Sequence, residues 1–314
     1  MNSSFARIGG PAQAIRVTPP NHTRFAVVRR RLESYEPPGG WRSALYEFAL
    51  FGFKQGWACL FGALMLALLL ATHFLYPADA PIARYDFLTI AALAIQIGML
   101  AFRLETPGEA KVIIAFHVVG TVMEVFKTHA GSWLYPEPSL VRIGGVPLFS
   151  GFMYGAVGSY FARVWRIFDL CFEPYPRSPW PELLAVAIYI NFFAHHWLPD
   201  VRLALFAAIG ALFWRTRVGF TVWRRRCRMP LLIGWFLVAT FIWFAENLGT
   251  FAHAWTYPAQ AHGWHPVSPM KLGAWYLLMY VSFVLVAAVH RPRAAVPSCP
   301  AIGETAGQTA YEIS

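Results

Sequence analysis

The chain has 314 residues, of which 57% are hydrophobic, 17% aromatic and only 13% charged, about half the charged share of a soluble globular domain. That composition excludes a soluble enzyme and predicts an all-α, polytopic bundle, since apolar stretches of about 20 residues, each enough to cross a bilayer, recur along it. The formal charge of +10 is read as topology signals that also meet anionic headgroups, so membrane lipids are expected partners and nucleic acid is not.

Residues 1–44, with "EPPGG" at 36–40, lack the apolar core of a cleaved signal, which predicts a mobile, basic cytoplasmic arm. Within it "HTRFAVVRRRLESY" reads as a basic amphipathic helix on the membrane surface. Eight spans follow, at 48–73, 85–102, 110–129, 147–168, 181–197, 200–214, 229–251 and 269–289, the sixth being short. They group as a four-span unit over 45–170 and a second over 171–292, with a disordered tail over 293–314.

Short basic loops stay cytoplasmic. With the N-terminus inside, the inner segments collect Arg29, Arg30, Arg31, Arg103, Lys111, Arg163, Arg166, Arg177, Arg224, Arg225, Arg226, Arg228, Arg291 and Arg293. Outer segments keep Arg84, Arg142, Arg202 and Lys271. Both termini are therefore expected inside, in a multi-pass membrane protein. Cys59, Cys171, Cys227 and Cys299 show no CxxC spacing and are expected to stay reduced. Lys54, near the inner end of the first span, reads as a snorkelling side chain.

"EVFKTHAGSWLYP" at 124–136 and "ENLGTFAHAWTYP" at 246–258 agree at six of thirteen places, and a shift of 122 residues also brings Pro147 onto Pro269, Gly151 onto Gly273, Tyr154 onto Tyr276 and Phe161 onto Phe283. Self-similarity at a long period is an architectural signal. Four spans per unit insert both units in one direction, so the repeats are expected to be parallel, related by an axis along the membrane normal, with a site between them.

What the repeat keeps is Glu with Thr four residues later, on one helix face. Glu124 with Thr128 and Glu246 with Thr250 form two polar notches, capped by Trp133 with Tyr135 and Trp255 with Tyr257. A carboxylate at depth costs about 2.5–3.5 kcal/mol on insertion scales and is usually functional or paired. Lys127 beside Glu124 predicts an ionised acid there; Glu246, beside Asn247, Trp243 and Phe244, is expected protonated, the separation that acid and base catalysis needs. The candidate catalytic residues are thus Glu124, Glu246 and Lys127, and the candidate substrate-binding residues Thr128, Trp133, Tyr135, Asn247, Thr250, Trp255 and Tyr257. The structural alternatives are an aromatic belt for the rings and, for the glutamates, a Glu to Lys or Glu to Thr clasp that locks the two halves. His129, His253, His262 and His265 gather on the outer side without a carboxylate motif, so they are secondary metal candidates and no cofactor is expected. "HHWLPD" at 195–200 is as ambiguous.

The run "EVFKTHAGSWLYPE" resembles the signature of a bacterial family of multi-pass membrane proteins known as domain of unknown function 817, over about residues 40–292. That resemblance implies an integral membrane protein of no established activity. A second likeness is to the membrane carotenoid cyclases and hydratases, whose pattern of an acid, Gly-x-Trp-x-Tyr and Gly-x-Pro is matched by Glu124, Gly131, Trp133, Tyr135, Gly145 and Pro147. The cyclases continue Pro-x-Glu-Glu, where this chain has Leu148, Phe149 and Ser150. The likeness implies a lipid or isoprenoid substrate. An acid/base enzyme on an apolar small molecule, a proton-coupled transporter or flippase, and a nonenzymatic scaffold all remain open at this level.

Overall fold

The computed structural model describes residues 13–16, 27–28, 31–32, 34–35, 40–177, 179–223 and 226–289. Most of the expected basic arm, Arg224, Arg225 and the tail lie outside the described residues. The helices are α1 (Trp41–Ala58), α2 (Leu60–Leu75), α3 (Arg84–Ala101), α4 (Pro107–His129), α5 (Phe149–Ile167), α6 (Trp180–Ala194), α7 (Arg202–Phe213), α8 (Leu231–Phe251) and α9 (Lys271–Val289). The protein is mostly helical, as expected.

The all-α expectation is corrected by four short strands, β1 (Gln13–Arg16), β4 (Cys171–Tyr175), β5 (Arg217–Thr221) and β6 (Arg226–Pro230), while β2 (Arg142–Ile143) and β3 (Val146–Pro147) form a separate hairpin. The four make one antiparallel sheet in the order β1-β4-β5-β6. Of these, only β6 falls in the arginine run that reads as an inner segment. The alternation in "RVGFT", which buries Val218, was the missed signal. Phe172 of β4 enters the main core beside Trp165 and Phe283, at ring separations of 5.2 and 5.0 Å.

Length and composition let α3, α8 and α9 cross a membrane, and a fourth span results if α1 and α2 count together. The expected first span is in fact broken at Cys59, where α1 and α2 bend by 70°. α6 and α7 are apolar but short. α4 and α5 are long enough but more polar, and the reason is their position. α5 is buried on nearly every face, so it meets protein rather than lipid. Gly120 of α4 and Gly151 and Gly158 of α5 bring the two helices together, with Tyr154, His117 and Phe116 packed where side chains at those positions would stand.

Several inner arginines prove to be internal. Arg166 pairs with Glu109 at 2.8 Å, both buried, and Arg163 donates to Trp57 O at 2.5 Å, with Glu105 3.9 Å away. Lys54, expected to snorkel, is fully buried and donates to Val222 O at 2.5 Å, tying α1 to the segment after β5.

Candidate functional site

α4 begins with a capping box, Thr106 and Glu109 around Pro107, which sets the helix frame that later presents Glu124 and Lys127. It ends by a left-handed turn. Ala130 N bonds Phe126 O, Gly131 N bonds Thr128 O and Ser132 N bonds Lys127 O, and at α8 the same three bonds join Ala252 to Leu248, His253 to Thr250 and Ala254 to Gly249. Gly131 has φ 70° and His253 φ 53°, so a histidine adopts in one turn what glycine adopts freely in the other. Beyond the turns, Leu134 and Thr256 exchange two backbone hydrogen bonds of 3.0 and 2.9 Å and draw the two loops together.

The turns fold aromatic donors back over the helix ends. Glu124, 5% exposed, accepts from Trp133 Nε1 at 2.8 Å, Tyr135 OH at 2.7 Å and Tyr154 OH at 2.7 Å. Glu246, 4% exposed, accepts from Tyr257 OH and, at 2.7 Å, from Trp275 Nε1. Burial first, and then the neighbouring glutamates, hold the phenols of Tyr135 and Tyr257 well above the usual range, so both remain donors. The ammonium of Lys271 lies between the two systems, 5.3 Å from the Trp133 ring centre and 4.1 Å from that of Tyr257. Those two rings meet edge to face at 6.1 Å.

Both glutamates open onto one cavity of about 1180 Å³. Lys127, Trp133, Tyr135, Trp255 and Tyr257 line it too. The other expected substrate-binding residues do not. Thr128 Oγ1 is buried with no hydrogen-bond partner, Thr250 donates to Asn247 O at 3.1 Å and accepts from Trp264, and Asn247 holds the loop between α8 and α9 by accepting from Val267 N at 2.8 Å. Trp255 does not reach Glu246; its ring fills the space over Gly249.

The clasp is absent. Lys127 Nζ faces His196 Nε2 at 3.2 Å and His195 Nε2 at 3.5 Å instead of Glu124. The contrast between the acids therefore comes from three donors against two, not from Lys127. Trp275 and Lys271 had no signal in the repeat; Tyr154 did, through its match to Tyr276. The outer histidines go separate ways: His129 bonds Val125 O, His253 packs on His73, His262 is exposed, and His265 bonds Ala259 O and Pro266 O. No group of three or more His, Cys, Asp or Glu that could hold a metal occurs among the described residues.

With this geometry in place, residues 47–283 match the family described as "Protein of unknown function (DUF817)". The chain belongs to that family. It is also 41% identical over 255 residues to "Uncharacterized protein YoaT" of Bacillus subtilis (strain 168), covering 81% of this chain and 96% of that one. No solved structure matches it. DUF817 membership thus agrees with the resemblance carried by the 124–137 run, and it assigns no activity.

Proposed function

We propose that this DUF817 protein is a multi-pass enzyme of the bacterial inner membrane that acts on an apolar, isoprenoid-like substrate by carboxylate acid and base chemistry. The observation that carries the reading is the opening of two buried glutamates onto a single, mostly apolar cavity of about 1180 Å³, larger than drug-sized pockets and roomy enough for a chain. Glu246 as the acid adds its proton to one carbon of a double bond; Glu124 as the carboxylate removes a proton from a neighbouring carbon. The double bond migrates, no electrons are gained or lost, and the net proton count is unchanged. Trp133, Trp255 and Tyr257 present ring faces that shield the intervening cation, and no cofactor is needed. The test is the lipid profile of a host expressing the wild type, Glu124→Gln or Glu246→Gln. A new product with wild type alone supports the reading, and an unchanged profile overturns it.

A proton-coupled transporter or flippase is the second reading, favoured by Lys127, His195 and His196, a run of titratable groups beside the cavity. Its mark would be substrate redistribution that stops when the proton gradient is collapsed.

The architecture we infer for either is eight crossings with both termini cytoplasmic, in two parallel units. Its support is the identity of the helix-end bonds at α4 and α8, each atom pair 122 residues from its counterpart. Reporter fusions after Arg228 and within 259–265 should read cytoplasmic and external.

A further inference from the structure

One edge of the cavity carries the ammonium of Lys127, which no carboxylate neutralises by contact among the described residues, and the guanidinium of Arg202, which Asp200 engages on one side only. Lys127 is 6% exposed, and its ammonium meets only imidazole nitrogens and no carboxylate among the described residues. His195 Nδ1 sits 2.9 Å from Asn191 O, which places its proton there and turns the Nε2 lone pair to Lys127. Arg202 binds Asp200 through its Nε and its backbone N, leaving both terminal guanidinium nitrogens without a partner among the described residues. Lys127, His195 and Arg202 all line the cavity that holds the glutamates. Glu124 makes no polar contact with this edge among the described residues; its oxygens accept from Trp133, Tyr135 and Tyr154.

An ammonium and a guanidinium fork, supplied by different elements, suit a tetrahedral oxyanion, which offers oxygens in several directions. The same cavity continues past Phe168, Phe220 and Met229, where an apolar chain fits. We propose that Lys127, oriented by His195, and Arg202 form a headgroup site for a phosphate ester, so that the substrate is an anionic amphiphile of the isoprenyl phosphate kind rather than a bare hydrocarbon. The identity of the substrate rests on the acid/base reading above, whereas the site itself does not. Lys127 follows Glu124 by three residues, a rise of roughly 4.5 Å along α4. The bond presented to the glutamates is then one near the headgroup.

The experiment is a tryptophan-fluorescence titration of the full-length protein in detergent with farnesyl monophosphate, farnesol and inorganic phosphate, since Trp133, Trp255 and Trp275 line the cavity. Farnesyl monophosphate should bind at least about tenfold more tightly than either farnesol or inorganic phosphate, a factor worth about 1.4 kcal/mol. Lys127→Met and Arg202→Gln should each weaken the ester about tenfold and leave farnesol unchanged. Arg202 is partly exposed, so its variant keeps the test decisive if the Lys127 variant misfolds. Equal binding of ester and alcohol, or ester binding that ignores the substitutions, overturns the proposal. Inorganic phosphate binding as tightly as the ester assigns the site to the free ion and overturns the amphiphile. If ester-selective binding persists while no product forms in the expressing host, the catalytic reading alone fails.

Discussion

Glu124 on α4 and Glu246 on α8 stand at matching places, each followed eleven residues later by a tyrosine that donates to it. The surroundings then part. At Glu124 the following tryptophan, Trp133, reaches the acid, and Tyr154 arrives from α5 over Gly120. At Glu246 the corresponding Trp255 is diverted into the space above Gly249, the position that Lys127 occupies on α4, and Trp275 of α9 donates in its place. Tyr276, the counterpart of Tyr154, turns instead toward Leu232 O at 3.5 Å. One backbone frame thus supports two chemically unequal acids, and a single exchange of lysine for glycine redirects the neighbouring indole.

The largest effect expected is on turnover. In each acid one oxygen has a tyrosine hydroxyl as its sole donor, Tyr154 for Glu124 and Tyr257 for Glu246, and a hydroxyl can turn to accept from an amide. Glu124→Gln and Glu246→Gln should therefore fold, with melting in detergent changed by less than about 1 kcal/mol. Product formation should fall by about 10²–10⁴-fold in both. Strong destabilisation of either variant would return the acids to a structural role.

Packing breaks the comparison at a second place. A methyl group on Gly120 would stand 2.3 Å from the Tyr154 ring, and one on Gly249 would stand 2.3 Å from the Trp255 ring. Either alanine should cost about 1–3 kcal/mol of stability by overpacking, offset in part by alanine's helix propensity. Gly120→Ala should also impair catalysis, since it displaces a donor from Glu124. Gly249→Ala moves a ring that donates to neither acid, so its loss should be of stability first, read as a lower melting temperature with a smaller change in rate.

The donor count gives a finer contrast. Tyr135→Phe leaves Glu124 with two donors, whereas Tyr257→Phe leaves Glu246 with one. The first should cost about 1 kcal/mol and the second about 2, measured by thermal unfolding in detergent. Equal losses would mean that the third donor on Glu124 adds nothing.

How much of this was legible follows from what a linear pattern can carry. The helix ends, the two glutamates, Trp133, Tyr135 and Tyr257 were readable, because turn geometry and helix-face spacing are local and recur 122 residues apart. Trp275 and Lys271 were not. They reach the site from α9, and only packing brings that helix over Tyr257. Thr128 and Thr250 misled because a shared helix face does not specify which neighbour covers it. Lys127 misled for the same reason: proximity to Glu124 in sequence suggested a pair, while α6 ends with two histidines against it. The sheet escaped notice because strands of four or five residues, one of them overlapping the arginine run at 224–228, are too short for their alternation to stand out between long apolar spans.

The smallest expected effect separates the loops that follow α4 and α8. The first, between α4 and α5, is held by Arg142, which donates to Gly145 O at 2.9 Å and to Ser139, and by Asp86, which accepts from Leu140 N and Val141 N at 2.8 and 2.9 Å. The second is held by neutral Asn247 and Gln260 and by His265, whose two ring nitrogens lie 3.1 and 2.9 Å from Pro266 O and Ala259 O. Both nitrogens can donate at once only in the imidazolium. The bonds to Ala259 and Pro266 accordingly raise the His265 pKa above its ordinary 6.5. A raised histidine contributes stability that is full below its unfolded pKa and is lost as the pH rises through the folded value. Residues 258–267 should therefore exchange amide hydrogens more slowly at pH 5.5 than at pH 8, after correction for intrinsic rates, while 138–147 show no such change. His265→Gln should remove the difference, and a wild-type loop indifferent to pH would show that the two carbonyl contacts do not hold it.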